Sequence, residues 1–164
     1  MNPDDLKDHL LHQFRYNRHA NEQILEALAT HDTEDLPERA LELMGHLLRA
    51  QDVWLGRVRG ETDLPAIWGD DTLAECRERA EASAEAWRKF LEACPAEDLT
   101  RTVRYENSKG KPFENELREI CGHVVDHSTH HRAQIAMLIR QAGGEPPVTG
   151  YIFWARSNAV SADK

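Results

Sequence analysis

The stretch His123-Val-Val-Asp-His127-Ser-Thr-His130-His131-Arg-Ala-Gln-Ile135 carries four of the nine histidines of this chain within nine consecutive residues. It lies inside residues 117–142, the last segment in which apolar residues recur at helical spacing. Gly143-Gly144 and then Pro146-Pro147 follow, as is typical after the end of a helix. The stretch therefore predicts a long helix that carries metal ligands, with the rest of the chain as its scaffold and the source of a further ligand.

The helical repeat of about 100° per residue separates these four histidines by direction. With His123 at 0°, the apolar arc of the helix lies between about 60° and 120°. This arc is formed by Leu117, Ile120, Val124, Ile135 and Leu138. His131 falls at about 80°, inside the arc, and His127 at about 40°, on its near edge. His123 and His130 fall outside the arc, so we expect them at the rim and in solvent, respectively.

Two inward imidazoles four residues apart, such as those of His127 and His131, can converge on one metal ion. Buried without an ion, their ring nitrogens would need other partners, because an unpaired polar group is costly in a core. A metal takes one nitrogen of each ring and leaves the other for a hydrogen bond. The alternative is an ordinary interior pair that is satisfied by hydrogen bonds. Two ligands do not complete a site, and the spacing alone does not identify a third.

Three further helices precede the histidine helix, and a short hairpin separates the last two helices. Apolar spacing predicts these helices at residues 3–29, at 37–58, and from a cap at Asp71 or Thr72 to residue 93. Alternating residues between 99 and 113, around the turn signal Asn107-Ser-Lys-Gly110, predict two marginal β-strands. The predicted fold is all-α: a four-helix bundle with a small β-hairpin inset before the last helix, as a single domain over residues 1–164.

Polar residues of the first helix fall on both of its faces. Asn17 and Asn21 share the apolar face, where two amides need partners. They are interpreted either as hydrogen-bonding to a neighbouring helix or as bordering a polar pocket. His12, Tyr16 and His19 form a stripe on the opposite side, which we expect in solvent or at a subunit contact.

The second helix and the segment after it contain one more histidine of interest. His46 lies about 100° from the centre of the apolar face of the second helix. Its position alone favours a structural or surface histidine. Gln51 points toward the apolar centre of the same helix. Two loops flank this helix, a polar loop at residues 30–36 and a connector at 60–71. We expect Ile67 and Trp68 to hold the connector against the bundle.

Composition excludes several classes of function. The net charge of −9, without a basic patch, argues against a nucleic-acid surface. No run of eighteen apolar residues is present, and the acidic N-terminus lacks the apolar region of a secretory signal. Cys76, Cys94 and Cys121 form no C-x-x-C motif and are an odd number, which indicates reduced core thiols in a cytoplasmic protein.

Several short motifs, in order and with their spacing, carry a resemblance over nearly the whole chain. They are Tyr16-Asn-Arg-His-Ala-Asn21, His46-Leu-Leu-Arg-Ala-Gln-Asp-Val-Trp54, the hairpin at 103–113, and Asp126-His127-Ser-Thr-His130-His131-Arg-Ala-Gln134. Together they resemble the DinB-like family of small bacterial helical metalloproteins. Ala133 stands where that family usually has glycine, in a motif of the form H-x-x-x-H-R-G-Q.

The resemblance implies that His46, His127 and His131 are the metal ligands. The flank position of His46 is compatible with a site near one end of the bundle, reached from the side of the apolar face. Zinc and nickel both accept imidazole, so a divalent transition metal of either kind is expected. Three neutral imidazoles with an open position are typical of a catalytic site. The candidate pocket residues are Asn17, Asn21, Gln51 and His123.

Proteins similar to this one include transferases that use low-molecular-weight thiols, so the expected substrates are a small thiol and an electrophile. Two alternatives stay open. One is a metal-dependent hydrolase, although Asp126 points away and no other general base accompanies the ligands. The other is a stress-associated protein whose ion only braces the bundle. The resemblance also implies a homodimer.

Overall fold

The computed structural model describes residues 2–30 and 36–159, and it is mostly helical. Its elements are α1 (Pro3–Thr30), α2 (Glu38–Arg59), α3 (Leu73–Ala93), β1 (Thr102–Glu106), β2 (Pro112–Glu116), α4 (Leu117–Gln141) and α5 (Tyr151–Ala159). The predicted fold class, an all-α bundle with one small hairpin, is confirmed. The structure adds α5, which the sequence pattern did not predict as a helix. Residues 31–35 of the predicted polar loop lie outside the described residues.

The ends of the elements follow from local chemistry. Thr72 caps α3 and forms the predicted capping box with Glu75. Gly60 ends α2 in the left-handed region at φ 75°. The two strands pair antiparallel, and β2 ends at Glu116, later than predicted. Since α4 begins at the next residue, the hairpin leads into the histidine helix without an intervening loop.

The four long helices pack so that each has two main neighbours. α1 and α2 both pack against α3 and α4, whereas α1 and α2 touch each other little and lie across the bundle. The buried apolar residues form two clusters along the bundle axis. One cluster includes Phe14, Trp87 and Ile120, and the other includes Ile24, Leu47 and Ile135. On each helix a polar segment separates the residues of one cluster from those of the other.

A buried polar layer fills this gap. The guanidinium of Arg132, which is 1% exposed, donates to Asn17 Oδ1 at 2.6 Å and to Asn21 Oδ1 at 2.8 Å. Toward α2, Gln51 Nε2 donates to Ser128 Oγ at 3.1 Å. The two asparagines therefore take the first of their two predicted roles, hydrogen bonding to a neighbouring helix. The layer links α4 to both α1 and α2 at mid-height.

Tyr16 is the clearest departure from the predicted outward stripe of the first helix. It is buried, and its hydroxyl donates to the carbonyl of Thr149 at 2.8 Å. Its ring packs against Tyr151 and Trp154 of α5. The outward prediction for Tyr16 was wrong because α5 and the residues before it cover that face of α1. His19 of the same stripe is exposed.

The three cysteines are free and buried, as predicted for core thiols. Burial raises the pKa of the Cys121 thiol to about 12 and that of Cys76 to about 11. Within residues 2–30 and 36–159, every helix is too short or too polar to cross a membrane.

Candidate metal centre

Three histidines meet where α2 faces α4. The ring centroids are 4.4 Å apart for His127 and His131, 4.7 Å for His46 and His131, and 5.2 Å for His46 and His127. One nitrogen from each ring lies within 4.8 Å of the other two. The structure thus brings together the three residues that the family resemblance singled out, although His46 comes from a different helix.

The two histidines of α4 point their Nε2 atoms at one another. These atoms are 3.1 Å apart. Two imidazole nitrogens at 2.0–2.1 Å from a tetrahedral ion would be about 3.3 Å apart, so the separation fits a shared ion. On the far side of the His131 ring, Nδ1 lies 2.7 Å from Gln134 Oε1. The amide oxygen can only accept, so His131 donates through Nδ1–H and keeps the Nε2 lone pair free.

His46 is oriented by the connector that follows α2. Its Nδ1 lies 3.2 Å from the carbonyl oxygen of Ile67, which can only accept. The ring also stacks on Trp68, with centroids 3.8 Å apart and planes 14° apart. Nδ1–H is therefore the donor, and Nε2 carries the free lone pair, as in His131. The expectation that Ile67 and Trp68 hold the connector against the bundle is met through contacts with His46.

An ion pair fixes the connector in turn. Arg49 of α2 holds Asp71 through two hydrogen bonds, Nε to Oδ2 at 2.5 Å and Nη2 to Oδ1 at 2.8 Å. The Asp71 side chain is 4% exposed, and the guanidinium lowers the pKa of its carboxyl group. Two glycines allow the close approach: a Cβ at Gly45 would lie 2.8 Å from Asp71 Oδ2, and one at Gly69 would lie 2.6 Å from the Arg49 guanidinium.

The environment of the cluster favours neutral imidazoles. Burial, followed by the charges of the neighbouring histidines, lowers the pKa of His127 from 6.5 to about 3. Burial is also the first cause that lowers the pKa of His46 and of His131. A metal binds the neutral form of histidine, and these lowered pKa values favour that form.

These properties let the cluster hold a divalent transition metal. It offers three neutral nitrogens, and imidazole suits zinc, nickel and related ions. His46 is 8% exposed, whereas His127 and His131 are partly exposed, so the cluster is reachable from solvent. With three protein donors, a tetrahedral ion keeps one position for a further ligand.

The centre lies at mid-height of the bundle, not near one end as the flank position of His46 suggested. His127 and His131 bracket Ser128 and precede Arg132, the two α4 residues of the buried polar layer. At this level polar side chains replace the apolar ones in the core, so histidine nitrogens can be accommodated without disrupting either apolar cluster.

The other candidate residues occupy different surroundings. Asn17, Asn21 and Gln51 are buried in the polar layer. His123 is exposed at the rim, with its ring centroid 5.5 Å from that of His127 and 5.1 Å from that of Trp54. His123 also lines a cavity of about 220 Å³ with Trp54, Tyr105, Asn115, Glu119 and Ile120. His130 is exposed, as its wheel position predicted.

Sequence reasoning missed the residues that orient the ligands. Gln134 is the last residue of the motif at 126–134. It lies three residues after His131 and so on the same face of the helix, which is the signal that could have identified its role. No spacing rule could assign Asp71, because its contact with Arg49 joins the connector to a helix. Asp126, which was predicted to point away from the ligands, lines the groove between α1 and α4 together with Cys121 and Ala133.

Comparison with known proteins identifies the family of this chain. Residues 6–162 match the DinB family. The chain is also similar to Protein DinB of Bacillus subtilis (strain 168), with 24% identity over 167 residues that cover 89% of this chain and 93% of the relative. The match to the family spans all four bundle helices and the three clustered histidines. The chain belongs to the DinB family.

Proposed function

We propose that this protein is a metal-dependent transferase that activates a low-molecular-weight thiol for attack on an electrophile. The observation that supports this most is the set of three histidine nitrogens within 4.8 Å of one another. Structural zinc sites are closed by four protein ligands, whereas catalytic sites use three and leave a position open. A centre with three histidines and partial exposure favours the catalytic type.

The chain supplies orientation and a suitable environment. Gln134 and the Ile67 carbonyl hold two imidazoles in the tautomer that directs Nε2 inward. Burial is the first cause that lowers the pKa of all three rings, which favours their neutral form. His46, His127 and His131 would hold the divalent ion, which would supply a lowered pKa to a coordinating thiol and so favour its thiolate. In the transfer, the sulfur forms a bond to carbon with its own electron pair, the leaving group departs with its pair, and the thiol proton passes to solvent.

The cavity lined by His123 is a candidate binding place for the second substrate, the electrophile. The cavity of about 220 Å³ has aromatic walls from Trp54 and Tyr105, and His123 lies between it and His127. An apolar electrophile would be held there by contact with the rings. In this proposal His123 borders the pocket, and Asn17, Asn21 and Gln51 support the ligand helix from the buried layer.

The direct test is conjugation by protein loaded with zinc or nickel. Small thiols are paired with a panel of electrophiles, and product formation is compared between wild type and His131→Ala. We expect conjugation above the uncatalysed rate for the wild type only. If fully loaded protein conjugates no thiol to any electrophile, the transferase proposal is wrong. Elemental analysis of the purified protein identifies the metal.

A structural role for the ion is the second candidate, because the ligands join α2 to α4 at the level where the core is polar. An ion that only braces the bundle would raise the unfolding temperature strongly and would bind no small molecule. For the transferase we expect the metal-free protein to remain folded and thiols to change the absorption of a cobalt(II)-substituted centre. Loss of the fold on chelation, without any thiol effect, would favour the structural role.

We further propose that the protein is a cytoplasmic homodimer. Three large apolar side chains are about half exposed and could be covered by a second copy of the chain. They are Ile152 (50%) and Phe153 (54%) of α5 and Met137 (53%) of α4. Sedimentation equilibrium would measure a mass twice that of the 18.7 kDa chain. A monomer at micromolar concentration would contradict the dimer.

A further inference from the structure

Arg39 and Trp68 form a rim beside the metal centre. The guanidinium carbon of Arg39 lies 4.8 Å from the centroid of a Trp68 ring, and Trp68 in turn stacks on His46. Trp68 is 48% exposed and the Arg39 side chain is 52% exposed, so both are accessible to a ligand that approaches from solvent. A permanent cation is thus held one side chain away from a candidate metal ligand.

The position of Arg39 has an electrostatic consequence for the centre. The Trp68 ring separates its charge from the His46 ring, because the guanidinium packs on Trp68 and Trp68 stacks on His46. A cation at this distance also repels a divalent ion, which by itself weakens metal binding. An anionic ligand that contacts the metal and Arg39 together would reverse this effect, because both charges then attract it.

The present partner of Arg39 indicates which anion fits. Nη1 of Arg39 pairs with Oε2 of Glu42 at 2.9 Å, on the same helix, and both side chains are about half exposed. Exposed pairs of this kind contribute little to stability, so the pair can be broken at small cost. A guanidinium binds a carboxylate through two parallel hydrogen bonds, and a ligand carboxylate can take the place of Glu42.

We propose that Arg39, held against Trp68, is an anion subsite that binds the carboxylate of a small thiol whose sulfur lies at the metal centre. The inference rests on the proposed thiol chemistry and names its substrate class: thiols that carry a carboxylate a few bonds from sulfur. Trp68 has two functions in this arrangement, since it restrains the guanidinium through a cation–π contact and covers one face of His46.

Equilibrium binding tests the subsite without any catalytic readout. Cobalt(II)-loaded protein is titrated with mercaptoacetate and with 2-mercaptoethanol, which carry a carboxylate and a hydroxyl group, respectively, and the dissociation constants are read from the cobalt absorption. We expect wild type to prefer mercaptoacetate. Arg39→Gln should lower that preference about threefold to tenfold, as expected for the loss of a charge-assisted contact. The two dissociation constants of one variant are measured on the same loaded protein, so their ratio does not depend on differences in metal affinity between variants.

Two further variants make the test specific. Arg59→Gln removes an exposed arginine at the other end of α2, paired only loosely with Glu61 at 3.9 Å, and should leave the preference unchanged. Glu42→Gln removes the competing carboxylate and should raise the preference. An unchanged ratio in Arg39→Gln overturns the subsite, and so does an equal loss in Arg59→Gln, because that would indicate only net charge. Binding of neither thiol overturns it as well.

The outcomes separate the subsite from the transferase proposal. A lower mercaptoacetate preference in Arg39→Gln, together with no conjugation by wild type, would keep the anion subsite and reject the transfer reaction. Conjugation by wild type with an unchanged preference in Arg39→Gln would keep the reaction and reject the subsite.

Discussion

Two of the three histidines of the metal centre belong to one helix, whereas the third depends on a segment without regular secondary structure. His127 and His131 are four residues apart on α4, so the helix itself sets their separation and direction. His46 lies on α2, but its ring is oriented by the carbonyl of Ile67 and the face of Trp68. The connector that carries these groups is fixed by the ion pair of Asp71 with Arg49.

The difference teaches how a ligand set can be distributed over a fold. The α4 pair forms whenever α4 forms, because it requires only local backbone geometry. The third ligand requires the packing of α2 on α4, the path of the connector and a buried ion pair. We therefore expect variants of the connector to weaken the centre while they leave the α4 pair in place, and variants of the pair to remove the centre.

The largest effect is expected for His131→Ala. It removes one of three donors and breaks the α4 pair, so metal affinity should fall by more than the 10–100-fold typical of residues that only support a ligand. Elemental analysis after gel filtration measures the bound metal. His19→Ala, which removes an exposed histidine of α1, is the control and should retain full metal content. Equal metal content in wild type and His131→Ala would overturn the ligand assignment.

Asp71→Asn tests the dependence of His46 on the connector. It leaves Arg49 without its carboxylate partner, so the connector should loosen and metal affinity should fall about 10–100-fold. The free energy of unfolding should fall by roughly 1–3 kcal/mol for the loss of a largely buried charged hydrogen bond. Chelator competition and urea denaturation measure the two quantities. Asp70→Asn changes the exposed residue next to it and should alter neither.

Gln134→Ala tests support within α4. His131 would lose the acceptor of its Nδ1–H, and metal affinity should fall about tenfold, at the lower end for such partners, since water can replace the amide oxygen. Gln141→Ala, exposed at the end of the same helix, is the matched control. If Gln134→Ala binds metal as tightly as Gln141→Ala, the hydrogen bond does not orient the ligand.

Acidification should destabilise the metal-free protein. Unfolded His127 takes up a proton near pH 6.5, whereas the pKa of the folded residue is about 3. Between these values the unfolded chain binds more protons, so the free energy of unfolding should be at its full value above pH 6.5 and fall as the pH drops toward 3. Denaturation at pH 7.5 and pH 5 measures the drop. It should be smaller in His127→Gln and unchanged in His19→Gln, which alters an exposed histidine of α1.

The smallest effects are expected for two glycine-to-alanine changes of opposite sign. At Gly122 on α4 no described atom lies within 4 Å of an added Cβ, so the change should stabilise the helix by about 0.5–1 kcal/mol. At Gly45 on α2 the methyl group would meet Asp71 Oδ2, so the same change should destabilise the protein and weaken metal binding. Thermal unfolding distinguishes them, and stabilisation by both would show that the connector can move away from α2.

Local rules predicted those features that depend on neighbours along the chain. The capping box of Thr72 and Glu75 formed as expected, and the wheel separated the inward histidines of α4 from His130. Spacing failed where a distant segment changes exposure. Tyr16 was assigned to an outward stripe and is buried, because α5 packs over it. The pattern predicted that Asn17 and Asn21 bond to a neighbouring helix but not that Arg132 is their partner, since Arg132 lies more than a hundred residues away in the chain.

The sequence by itself determined the four long helices, the position of the hairpin, the class of fold and the pair His127 and His131, because helical periodicity fixes which side chains share a face. The family resemblance named His46, and only the tertiary structure showed that its ring joins the pair and that the centre lies at mid-height. The physical reason is that the orientation of His46 depends on Ile67, Trp68 and the ion pair of Asp71 with Arg49, all contacts between segments that no spacing along a single helix can encode.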